Sequence, residues 1–157
     1  MKRMLFGVNA TKSAVVIAET TGKGGKFSIT SIKPIPFEVQ SGDDLDKLLR
    51  SLIAVFDRDG RGAGSTIALL KCSSGRFASC LEAIKGEAMA ELAAFQKGLG
   101  VVKVAPQSLK KALGCAAEQK WRDRAAELFN PDGKRRNWSK GAAGAAAVAY
   151  KVAGDPL

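Results

Sequence analysis

The order of apolar segments along this chain restricts its fold more than any other feature. Residues 4–8 and 14–18 are hydrophobic runs joined by a short turn of small and polar residues. Residues 27–37 supply a third run, with Ile29, Ile32 and Ile35 among polar neighbours, after the turn formers of residues 20–25. Three strands in succession with short connections read as an antiparallel meander. Pro34 and Pro36 put the far end of the third strand at an edge, because proline cannot donate to a ladder.

From there the pattern alternates. In residues 43–59, Leu45, Leu48, Leu49, Leu52, Ile53 and Phe56 recur at spacings of three and four, which places one apolar stripe on a helix. Its start is acidic, as the helix dipole favours, and Arg58 is the cation near its end. After the glycine-containing loop of residues 60–64, residues 65–70 form a short apolar run of the kind a buried parallel strand needs. Leu81, Ile84, Ala88, Leu92 and Phe95 mark a second helix, stopped by Gly98. Residues 101–105 read as another buried strand, and Pro106 sits where a first helical turn tolerates it. Short helices are expected over 107–113 and 118–129, and an alanine-rich helix over 139–152, in which Gly141 and Gly144 allow close backbone packing. The expected fold class is α/β: a mixed five-stranded sheet, a three-stranded antiparallel meander plus two parallel strands, flanked by helices in a single domain of residues 1–157.

This order resembles that of the ribonuclease H-like superfamily. The segments LFGVNATKSAVVIAE, STIALLKCSSGRF before a long helix, VVKVAPQSLKKALG and the closing helix are similar to the RuvC type of Holliday-junction resolvases and to short bacterial relatives, and together they cover most of the chain. In active members, the resemblance implies, four carboxylates hold two divalent metals for in-line attack on a phosphodiester. One ends the first strand, one ends the fourth, and two lie near the start of the last helix. Carried over by position, they fall on Asn9, on Leu70 or Lys71, and on Gly141 and Gly144. None of these is a carboxylate. An Asn9 carbonyl can meet a hard cation, but a neutral ligand does not offset the charge of two metals, and Lys71 repels them. No Asp or Glu occurs anywhere in residues 65–81 or 133–154, so a shift of register does not restore the set. The expectation is therefore a ribonuclease H-like domain with no catalytic residues, no metal and no cofactor. Asn9 also has a plainer reading, as the polar residue at the tip of a hairpin.

Composition adds limits. With 157 residues, 46% of them hydrophobic, the chain suits one core and one domain. It has no apolar run long enough to span a membrane, and residues 1–8 lack a signal-peptide core, which predicts a cytoplasmic protein without a membrane partner. Cys72, Cys80 and Cys115 are odd in number and lack CxxC spacing, and histidine is absent, which argues against structural zinc and for reduced, partly buried thiols. The missing histidine also removes the usual general base.

Charge is the positive signal. The chain carries a net charge of +10, and residues 103–140 contain ten basic residues against four acidic ones. Trp121 and Trp138 lie in the same stretch, and a flat indole can stack on a base. Basic residues interleaved with aromatics are the footprint of a nucleic-acid surface. The candidates are Lys120, Arg122, Arg124, Lys134, Arg135, Arg136, Trp138 and Lys140, of which the resemblance sets Lys134, Arg135, Arg136 and Lys140 beside the site before the last helix. Lys71 with Ser73, Ser74, Gly75 and Arg76 borders it from the other side, where the start of the next helix attracts phosphate and Arg76 can add a bidentate contact. The same residue types also decorate solvated helix faces, tryptophan commonly anchors a core, and serine before a helix is an ordinary cap.

Three functions remain open on the sequence. The first is a catalytically inactive ribonuclease H-like or RuvC-like domain that binds DNA or RNA through its basic face. The second is an interaction or scaffold module, with the alanine-rich last helix packing against a second copy; the resemblance implies dimers. The third is a residual metal-dependent nuclease drawing on acids such as Glu19, Glu38 and Glu82, most of which read as solvent-exposed. Clustered charge favours the first.

Overall fold

A computed structural model describes residues 4–58, 64–72, 80–136 and 138–155. The predicted meander is present as β1 (Leu5–Ala10), β2 (Ala14–Thr21) and β3 (Ser28–Pro36), paired antiparallel in succession. β4 (Thr66–Leu70) runs parallel to β1, and β5 (Gly100–Val104) runs parallel to β4. The resulting mixed sheet has the order β3-β2-β1-β4-β5, so β1 lies at its centre and the proline-bearing β3 at one edge.

Helices cover both faces. α1 (Gly42–Phe56) is capped by the Ser41 hydroxyl, which accepts from the Asp44 amide at 3.3 Å, while the Asp44 carboxylate accepts from the Gln40 amide at 3.1 Å. α2 (Leu81–Gln96) packs beside α1 on the same face of the sheet. α3 (Leu109–Ala112) and α4 (Trp121–Phe129) lead to α5 (Ala142–Gly154), which lies on the opposite face against β1, β2 and β4. The two-residue period of a strand divides the core accordingly. Phe6, Val8, Ile67 and Leu69 point to α1 and α2, whereas Ala68 and Leu70 pack with Ala147 and Val148 of α5.

α5 sits unusually close to the sheet. A Cβ on Gly7 of β1 would overlap the Ala145 carbonyl oxygen and press on the Ala149 methyl, so only glycine at this point lets the helix backbone rest on the strand. Ala142, Ala143, Ala145, Ala146, Ala147 and Ala149 are all buried. The small-residue face expected to meet a second copy is thus consumed by the chain's own sheet.

Other expectations need correction. β1 continues two residues past Val8 because Asn9 and Ala10 pair with Val16 and Val15. The hairpin tip is closed by Thr11, whose hydroxyl accepts from the Ser13 and Ala14 amides and whose own amide donates to the Ala14 carbonyl at 2.8 Å; Asn9 is a strand residue, not a turn cap. The last helix starts late, because Gly141 at φ 114° breaks the path between the 3-10 turn Trp138–Lys140 and α5. α4 starts at Trp121 rather than 118, since Ala116 and Gln119 form a turn stitched by reciprocal amide contacts. Glu19, read as exposed, is 8% exposed, and its carboxylate accepts from Arg58 at 3.1 Å. β2 is an interior strand, and the cation expected to complement the end of α1 turns to this acid instead.

Among the described residues no helix is long and apolar enough to cross a membrane, and no three or more acids or cysteines converge to hold a metal ion. Cys72 and Cys115 are half-buried and Cys80 is exposed.

The close approach at Gly7 can be tested directly. Gly7→Ala forces strand and helix apart and should lower unfolding free energy by about 3 kcal/mol in urea titrations. A loss below about 1 kcal/mol would mean that α5 retreats without penalty.

Candidate functional site

β1 and β4 are parallel neighbours, so their carboxyl ends finish side by side, and the first turn of α5 faces them from one side of the sheet. Such a crevice beyond the carboxyl ends of parallel strands is a common place for ligands in α/β folds. Here it is a cleft of about 730 Å³. All five positions inferred from the resemblance, Asn9, Leu70, Lys71, Gly141 and Gly144, line it.

Those positions interlock. The Asn9 side-chain amide donates to the Gly141 carbonyl at 3.2 Å, and the same carbonyl accepts the first helical bond of α5 from Ala145 at 3.1 Å. A Cβ on Gly144 would overlap the Asn9 amide and come within 3.1 Å of a Leu70 methyl. At Gly141 a Cβ would lie 2.7 Å from a Val16 methyl and 2.9 Å from a Thr11 methyl, at a φ that side chains rarely adopt. The volume that two acidic side chains would need is therefore filled, by Asn9 and by the β1–β2 hairpin. An amide also suits position 9 chemically. Its NH₂ donates to a carbonyl, whereas an ionised carboxylate only accepts and would face that carbonyl repulsively.

The end of β4 offers no acid either. Leu70 is buried against α5, while exposed Lys71 is anchored through its backbone amide to the Val104 carbonyl at 2.9 Å. Around the cleft, Lys12, Lys71, Arg122 and Lys140 are four cations, and Asp123 is the single carboxylate among the described lining residues. Glu19, Glu38 and Glu82, the acids a residual nuclease would draw on, do not line it. Glu19 pairs with Arg58, and Glu38 borders a separate depression beside α1. Glu82 begins α2, where backbone hydrogen bonding, the Cys80 side chain and nearby Lys12 and Lys85 hold its carboxyl below the usual range.

The basic candidates separate into groups. Lys71, Arg122, Trp138 and Lys140 reach the cleft. Arg124 does not: its guanidinium donates to the Leu113 carbonyl at 3.0 Å and pairs with Glu127 at 2.9 Å, which ties α4 to the preceding turn. Lys120 precedes α4 as its cap residue, and Lys134 is exposed on the following loop. Arg135 donates to the Phe129 carbonyl at 2.6 Å, and with Arg136 it borders a smaller groove of about 370 Å³ against Val16, Ile32 and Pro34. Ser73, Ser74, Gly75 and Arg76 lie outside the described residues. Trp121 and Trp138 are half-buried against core clusters, and the Arg122 guanidinium lies 4.4 Å from the Trp121 ring centroid. Lys12 is a cleft residue that charge clustering along the chain misses. Its one signal in the sequence is its place in the hairpin turn that brings the chain back past Asn9.

No protein-family model and no curated protein matches this chain. Among solved structures the fold is similar to Thermus thermophilus RuvC, at 15% sequence identity and a TM-score of 0.70, covering 96% of this chain and 92% of that one. It is likewise similar to T. thermophilus RuvC in complex with a Holliday junction substrate, at 13% identity and a TM-score of 0.67, covering 96% of this chain and 95% of that one. Over nearly all of its length the chain has the ribonuclease H-like fold of RuvC, at an identity that carries the fold alone.

Proposed function

We propose that this protein binds nucleic acid through the cleft at the ends of β1 and β4 and does not cleave it by two-metal hydrolysis. The observation that carries this reading is the closed triangle of Asn9, Gly141 and Gly144, rimmed by four cations against one carboxylate. Two divalent ions need several anionic oxygens converging within a few ångströms. In this cleft the corresponding volume is occupied, and the remaining field is positive, which repels metal ions and attracts phosphate. Lys12, Lys71 and Lys140 act as point charges along a phosphate backbone, while the planar Arg122, braced on Trp121, suits a bidentate phosphate contact. The RuvC neighbour solved with a Holliday junction substrate makes a four-way DNA junction the first ligand to try.

Binding of this kind is largely electrostatic. The affinity of the chain for four-way-junction, duplex or single-stranded DNA or RNA should fall linearly in a log–log plot against salt, measured by fluorescence anisotropy. Changing Lys71, Arg122 and Lys140 to Glu should reduce that slope by about 0.9 for each duplex phosphate that the variant no longer neutralises. Absence of binding to every ligand at about 50 mM salt would refute the reading.

Chemistry supplies an independent check. No substrate of this panel should be cut in the presence of magnesium or manganese, and Asn9→Asp should not introduce cleavage. That variant should instead lose about 1–3 kcal/mol of stability, because the acid faces the Gly141 carbonyl without a proton to donate. Metal-dependent cutting that disappears with EDTA would overturn the inactive assignment.

A further inference from the structure

One group in the cleft works against the cleft's own charge. Asp123 stands in the first turn of α4, is exposed, and lines the cleft together with Lys12, Lys71, Arg122 and Lys140. None of these cations pairs with it, and among the described residues its carboxylate makes no hydrogen bond or ion pair. The two arginines that flank it in the chain are engaged elsewhere. Arg122 lies over the Trp121 ring, and Arg124 donates to the Leu113 carbonyl and to Glu127. Acids on other parts of the surface do find cations, as Asp57 does in Lys97, Glu91 in Lys103 and Asp155 in Lys151.

A carboxylate in the first turn of a helix complements the dipole, so Asp123 supports α4 whatever else it does. That role does not need the cleft. An acid at position 120, where Lys120 makes no side-chain cap, would serve the helix at least as well and stand outside the cleft. Against a phosphate backbone, an unpaired carboxylate weakens binding. Phosphate contacts set position and carry no sequence, whereas base edges carry it. An ionised carboxylate only accepts, so the contact open to Asp123 is a base edge that donates.

Its two oxygens match the Watson–Crick edge of guanine, where the N1–H and the N2 amino group donate side by side. Adenine and cytosine set one amino group beside a ring nitrogen that accepts. Thymine and uracil set one N–H between two carbonyls. Each of these leaves an acceptor facing one carboxylate oxygen. The guanine edge is covered in a duplex and open in an unpaired strand. A cleft of about 730 Å³ is on the scale of one small ligand, a nucleotide and not a double helix.

We propose that Asp123 reads an unpaired guanine in the strand whose phosphates the four cations hold. This rests on the nucleic-acid reading of the cleft and adds to it a preferred base and a strand state.

Fluorescence anisotropy with oligothymidylates that differ in one central nucleotide tests it. The strand with guanine should bind about 5–100-fold more tightly than the all-thymine strand. Inosine, which keeps the N1–H and lacks the N2 amino group, should give up most of that gain. Asp123→Asn should bring the guanine and thymine strands to equal affinity, because the amide replaces one acceptor by a donor. A loss of helix support alone would weaken both strands together and leave their ratio unchanged. Guanine and thymine strands bound equally by the unaltered chain overturn the proposal and leave the cleft reading intact. So does a guanine preference that survives Asp123→Asn, or inosine bound as tightly as guanine. Binding of neither strand overturns the cleft reading together with this one.

Discussion

The packing of α5 on β1 at Gly7 is the constraint on which the rest of the structure depends. A side chain there would hold the helix off the central strand; without one, the Ala145 carbonyl rests on the sheet and a row of buried alanines seals the face. That depth of approach decides what happens one turn earlier. It carries Gly141 and Gly144 against Asn9, so that the first turn of α5 and the end of β1 share an amide–carbonyl hydrogen bond. Packing of this density leaves no room for intermediate solutions, because cores respond to single methyl groups.

The chemistry of the cleft follows from that closeness. A helix start standing farther from β1 would leave space for acidic side chains and the ions they hold. Here the positive end of α5 is met by a neutral amide, and the formal charges around the cleft, among the described residues, are Lys12, Lys71, Arg122 and Lys140 against Asp123. A site with this balance favours oxyanions and disfavours hard cations.

α2 shows the same economy of small residues on the opposite face. Alanine and glycine let it nest beside α1 and over the sheet, where a Cβ on Gly86 would press on Phe37, Ala10 and Val15. The inward side is filled mainly by small groups, with Met89 partly buried beside them, and Leu81, Ile84, Leu92 and Phe95 point to solvent. Their helical spacing is visible in the sequence, but spacing identifies a stripe without saying which way it faces. The same limit applies to Glu19, an acid whose residue type suggests solvent until the sheet order puts β2 inside and Arg58 beside it.

The sequence by itself determined the order of elements, the mixed sheet, and that positions 9, 70, 71, 141 and 144 carry no carboxylate. Each of these is a matter of local pattern or of residue identity, which chain neighbours settle. Only the tertiary structure decided that Thr11 and not Asn9 closes the hairpin, that Gly141 breaks the last helix, and that Lys12, Lys71, Arg122 and Lys140 share one cleft while Arg124 and Arg135 are tied to nearby carbonyls. Such outcomes depend on distances between residues far apart in the chain. They are fixed by how closely a helix can approach a strand, and composition and periodicity do not record that.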